Sequence, residues 1–159
     1  MTRRSDAAAQ AVTAALIGGS IASLASAAVL MQRGRADTGS HWAAINAPSH
    51  WFWGERSLRR NAPSWRYTAV GALTHHASSV FWALGYHWLQ ARRGRPTPAS
   101  ALVDAAALTA VAALVDLRLV PERLTPGFER RLSTRSLAWT YVGFGAGLAL
   151  AGLLAQRRA

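Results

Sequence analysis

The chain predicts an all-α integral membrane protein, a four-helix bundle with a short interfacial helix in its first long loop. Three observations carry that expectation. Four segments of about 20 to 25 residues are nearly free of charge, and about 20 apolar residues cross a hydrocarbon core of roughly 30 Å. The basic residues fall between those segments in short clusters, Arg3-Arg4, Arg59-Arg60, Arg92-Arg93-Arg95, Arg130-Arg131 and Arg157-Arg158, as charge does beside membrane spans. A soluble bundle would need a polar stripe on each helix, and the first and fourth segments offer almost none. The 159 residues suit a single domain.

The first span is expected at roughly residues 7–31, where Ala15, Gly19, Ser23 and Ala27 recur every four residues. Such a small-residue ridge lets a second helix come close. A secretory signal cleaved near Ala25-Ser26-Ala27 is the rival reading, but the apolar stretch exceeds the usual signal core of about 7 to 15 residues. The second span is expected at 67–90 and the third at 99–120, where Pro121 stops the helix. The fourth covers 136–155, with Gly143, Gly147 and Ala151 repeating the small-residue spacing. These faces could join the first and fourth spans, or two copies of the chain.

The first connection contains "NAPSHWFWGERSLRRNAPSWR", in which Asn-Ala-Pro-Ser occurs twice. Ser49 and Ser64 each follow Pro and precede aromatic residues, a helix N-cap signal. Residues 50–60 therefore predict a short helix at the membrane surface, with Trp51, Phe52 and Trp53 among the headgroups. The net charge of +11 comes from 18 Arg and no Lys. Because the Arg do not share one periodic face, the lipid bilayer is the expected partner and nucleic acid is not. The absence of Cys excludes disulfides and thiolate metal sites.

Seven Arg lie in the tails and the second connection, densely placed, and eleven in the longer first and third connections. Density near span ends favours cytoplasmic termini, although the raw count points the other way.

Ionisable groups within spans are costly in hydrocarbon and are functional candidates for that reason. They are His75, His76, His87, Asp104 and Asp116. The second and third spans form an antiparallel hairpin turning about position 95 or 96. That turn sets His87 level with Asp104, and His75 level with Asp116. Twelve residues advance a helix by about 120° beyond whole turns, so both rungs cannot face one neighbour squarely. Asp116 is expected within reach of His75 or His76, with Arg118 and Arg123 competing for it. Asn46 and His50 in the first connection complete the candidate set. These groups could form a proton, cation or solute path, or serve only as interhelical hydrogen bonds fixing register. No phosphate loop, nucleophile elbow or zinc motif is present, and no cofactor is implied.

Three stretches, "NAPSHWFWGE", "THHASSVFWALGY" and "VDLRLVPERLTPGFERRLSTRSLAWTYVGFGAGLAL", resemble small uncharacterised inner-membrane proteins of proteobacteria. The second is distantly similar to the YagU-type family. The resemblance implies a multi-span helical fold in the inner membrane, without a known reaction, and directs attention to Asn46, His50, His75, Asp116, Pro121 and Arg123. The expected role is small-solute or ion passage, or service as an accessory subunit of a membrane complex. The alternative is a membrane-embedded enzyme, or a haem or metal protein, using the loop and span histidines.

Overall fold

The computed structural model describes residues 2–93 and 96–157, with side chains from residue 9 onward. All regular structure among them is helical. Four long helices dominate: α1 (Thr2–Thr38), α5 (Val70–Arg92), α6 (Pro98–Leu114) and α7 (Thr134–Gln156). Between α1 and α5 lie the one-turn helices α2 (Ala43–Asn46), α3 (His50–Trp53) and α4 (Glu55–Leu58). Alpha-1, α7 and α6 with its continuation to Leu119 are long and apolar enough to cross a membrane. Alpha-5 has the length, at 23 residues, but is less apolar, since it carries three His with Ser, Thr and Gln. The expected turn about position 95 falls on Gly94 and Arg95, outside the described residues, as do the Arg3, Arg4 and Arg158 side chains.

The helix ends follow local chemistry. Pro98 opens α6, and Thr97 and Ser100 cap it reciprocally. Ser133 accepts from the Ser136 N–H at the start of α7. Ser64 caps the helical run into α5 by accepting from the Tyr67 N–H. Ser49 does not cap anything; its hydroxyl donates to the Asn46 carbonyl at 2.7 Å. The chain is already helical there, so the expected single helix over residues 50–60 is instead a folded run of short turns. Alpha-1 also runs past residue 31 to Thr38. Its last turns are tied to α7, where Arg33 donates to the Ser136 hydroxyl at 2.9 Å and Asp37 accepts from the Ser133 N–H at 2.8 Å.

Alpha-1 is the central element, packed along both α7 and α5, while α6 rests mainly on α7. Its buried positions Ala15, Ala22, Ser26 and Leu30 recur at helical spacing. The small residues on α1 and α7 are used inside the chain. A Cβ on Gly147 would come within 2.5 Å of the Ala22 Cα, and one on Gly143 within 2.9 Å of the Val29 side chain. Gly19 instead faces α5, where an added Cβ would meet the Val80 Cα at 2.5 Å. The ridge expected to face one helix thus serves two.

The first and third connections fold onto each other at one end of the bundle. Arg130 reaches both oxygens of Glu55, at 2.6 and 3.1 Å, and Glu122 at 3.2 Å. This fork-to-fork pairing holds the exposed Glu55 carboxyl below its ordinary range, chiefly through the Arg130 hydrogen bonds, and raises Arg130 in turn. Arg131 donates to the Leu58 carbonyl and to Asn61 Oδ1.

Candidate functional site

Alpha-5 and α6 are clamped together near their connection. The Tyr86 hydroxyl donates to the Ala101 carbonyl at 3.2 Å, and Gln90 Nε2 to Asp104 at 2.6 Å. Arg93 grips the same carboxylate through both of its oxygens. In the opposite half of this seam, between residues 73–82 of α5 and 112–120, lies a cavity of about 690 Å³. Alpha-7 forms its back wall, and the two packed connections close its end. Its lining is mostly apolar and aromatic.

The third long helix does not end as a regular α-helix there. Val115–Leu119 forms a π turn, in which the Val120 N–H reaches back to the Val115 carbonyl. Such turns are rare and occur frequently at functional sites. Asp116 sits in this turn and lines the cavity.

The polar groups of the cavity are held by different helices. His75 Nε2 lies 2.9 Å from the Ser26 hydroxyl, which itself donates to the Ala22 carbonyl at 2.8 Å. With that hydroxyl proton committed, Nε2 carries the imidazole proton and donates to Ser26, leaving Nδ1 as an acceptor. Phe128 stands edge-on between His75 and Tyr141, with ring centroids 6.3 and 6.5 Å away. The Tyr141 hydroxyl then donates to Asp116 Oδ2 at 3.2 Å.

His75 and Asp116 thus line one cavity. They do not pair with each other in any described hydrogen bond; each is engaged by a helix that the hairpin argument left out. The expected triad with Arg118 and Arg123 does not form among the described contacts. Arg118 is two residues on, about 200° around a helix from Asp116, and is exposed. Arg123 lies beyond Pro121 and donates weakly to the Trp51 carbonyl at 3.4 Å.

The other expected rung, His87 with Asp104, is also replaced. Asp104 is buried and taken by Arg93 and Gln90. His87 turns towards α1, where Gly18 leaves room for its ring, and its buried Nε2 has no described partner. Neither rung therefore forms a direct pair among the described residues. His76 is half-buried and does not line the cavity.

Asn46 and His50 hold the loops. Asn46 is fully buried and donates to the carbonyls of Arg60 at 2.9 Å and Ala62 at 3.1 Å, while accepting from Thr68 at 2.6 Å. It therefore ties the first Asn-Ala-Pro-Ser to the second. His50 Nε2 and the Trp51 indole both donate to the Thr125 carbonyl at 2.8 Å. Gly127 lies under His50 with φ +83°, and an added Cβ would meet His50 Cδ2 at 2.6 Å and the Ala47 carbonyl oxygen at 2.8 Å.

The residues that sequence reasoning missed are Ser26, Phe128 and Tyr141. The signal available was chemical: a Tyr or Ser inside an apolar span needs a partner. Among the described residues, no three His, Asp or Glu side chains come together as a metal site would require. Comparison with family models, curated proteins and solved structures finds no match.

Proposed function

We propose that this chain is a four-span protein of the bacterial inner membrane that binds a small amphipathic molecule drawn from the bilayer. The observation that carries the reading is the cavity of about 690 Å³, mostly apolar and aromatic, with His75, Asp116 and Tyr141 and a few Ser and Thr hydroxyls in its lining. Binding sites for small molecules have this character, a concave apolar lining with a few placed polar groups. Leu73 and Phe81 at its margin are well exposed, at 67% and 64%, as side chains facing lipid would be. Alpha-5 is the fourth span, and its polar content faces the cavity or its neighbouring helices. The connections at residues 39–64 and 120–133 occupy one membrane face, with the termini and the α5–α6 connection on the other. The dense Arg near the latter favours the cytoplasm for that side, and the resemblance to proteobacterial inner-membrane proteins favours the compartment.

The clamp of Tyr86, Gln90, Arg93 and Asp104 supports a pocket closed towards the termini rather than a continuous channel. Solute passage would require that clamp to open. The test is photolabelling in phosphatidylcholine nanodiscs with three ten-carbon diazirine amphiphiles, bearing a neutral, a carboxylate and a trimethylammonium head. At least one should label peptides containing residues 73–82 and 112–120 saturably. Ser78→Trp, which fills the cavity from its lining, should abolish that labelling. Unsaturable labelling by all three, spread along every exposed helix face, would overturn the reading.

A further inference from the structure

Resting on that reading of the cavity, we propose that its ligand is an organic cation: an apolar body bearing one ammonium or equivalent positive centre. The first ground is Asp116 itself. It takes a hydrogen bond from Tyr141 but is absent from the three ion pairs among the described residues, which use Asp104, Glu55 and Glu122. Neither Arg118 nor Arg123 lines the cavity.

The second ground is the neighbour that does act on Asp116. Glu129, from the third connection, adds negative charge near Asp116 and Tyr141 while itself lying beside Arg130, away from the cavity lining. A chain with eighteen Arg thus leaves Asp116, the one carboxyl that lines the cavity, outside every ion pair among the described residues. A buried charge is costly unless paired, and the missing partner is a positive centre in the space between the helices.

The third ground is the wall. Trp51, Phe81, Trp82, Phe128, Tyr141 and Phe144 all line the cavity. Aromatic faces attract cations, most strongly Trp and most strongly where water is excluded. His75, whose Nε2–H is given to Ser26, offers an anion no donor from that nitrogen. An anion would meet the Asp116 carboxyl and aromatic rings, with no Arg in the lining to receive it. A neutral amphiphile would fit the apolar volume but leave the Asp116 carboxyl uncompensated.

The experiment compares the trimethylammonium photoprobe with its neutral carbon isostere, in which carbon replaces the ammonium nitrogen, in zwitterionic phosphatidylcholine nanodiscs. The quantity read is the mole fraction of probe in the bilayer at half-saturation of the cavity peptides, which removes differences in partitioning. The cation should saturate at a mole fraction lower by about tenfold or more. Asp116→Asn should bring the ratio towards one, and Asp116→Glu should keep most of it. If Asp116→Asn does not purify as a folded species, Trp82→Leu serves instead and should cut the preference severalfold. Equal saturation by the two probes in the unaltered protein would overturn the cation assignment and leave the cavity reading standing. Saturable labelling by neither would remove both. Full retention of the preference in Asp116→Asn would also overturn the assignment.

Discussion

Changing Gly147 tests the closest helix contact in the bundle. An added Cβ would stand 2.5 Å from the Ala22 Cα, 3.0 Å from its N and 3.1 Å from the Ile21 carbonyl oxygen. Ordinary contact begins at 3.4 Å, so α1 and α7 must part by about 0.9 Å (3.4 − 2.5) even for alanine. The obstructing atoms are backbone in the middle of a long helix, and no side chain can swing aside. Separation would also loosen Leu148, which is fully buried at the same seam. Overpacking of this kind costs about 1 to 3 kcal/mol, or about 2 to 12 °C of melting temperature for a domain of this size. Gly147→Leu should cost more and populate non-native species. Ala146→Leu, one residue earlier on the exposed face of α7, is the control and should melt within about a degree of the unaltered protein. Thermal unfolding in mild detergent reads all three. If Gly147→Ala and Gly147→Leu both unfold like the control, the close α1–α7 approach is wrong.

Three further outcomes are expected. Reporter fusions after Gly39 and Glu129 should report the same side of the membrane and a fusion after Gln156 the opposite side; agreement of all three would dismiss the four-span arrangement. Gly127→Ala should lower stability by about 1 to 3 kcal/mol, because it adds both a positive-φ penalty and contacts with His50 and Ala47; an unchanged melting temperature would contradict the seating of the third connection on the first. The Glu55–Arg130 contact sets an acid limit. Since the folded Glu55 carboxyl is held below its ordinary range, its contribution is fully present above the unfolded value of about 4 to 5 and is lost as pH falls through the lowered folded value. Melting temperatures from about pH 6 to pH 3 should therefore fall less steeply in Glu55→Gln than in the unaltered protein, and parallel curves would refute the pairing.

The long helices were legible because length and freedom from charge are read directly from the chain, and their ends lie within a few residues of Ser64, Thr97 and Ser133, which accept the first free N–H groups. Alpha-1 overran its expected end, and the polar residues beyond it, Arg33 and Asp37, find partners at the head of α7. The two Asn-Ala-Pro-Ser sequences look alike but do different work. Ser64 stands in extended backbone where a helix begins, whereas Ser49 is already inside a helical run. That difference depends on Asn46, whose buried amide is satisfied by carbonyls 14 and 16 residues away, and no local pattern announces it.

The candidate site was legible as a region and illegible by direction. Matching positions across a hairpin expected His75 and Asp116 near each other, and both line one cavity without pairing. Which way each side chain looks depends on α1 and α7, absent from the hairpin argument. Ser26 captures His75 through a hydroxyl whose own proton goes to Ala22, and Tyr141 captures Asp116 from the back wall. Asp104 shows what the alternative looks like. It too lies in the third long helix, but Arg93 at the near connection neutralises it, and with the Gln90 hydrogen bond welds α5 to α6. Asp116 has no such cation among the described residues, and the helix that carries it passes into a π turn beside an open volume. Two carboxylates on one helix, seventeen residues of which form a regular α-helix, therefore have opposite consequences: the neutralised one closes the seam, and the uncompensated one faces the space where the helices part.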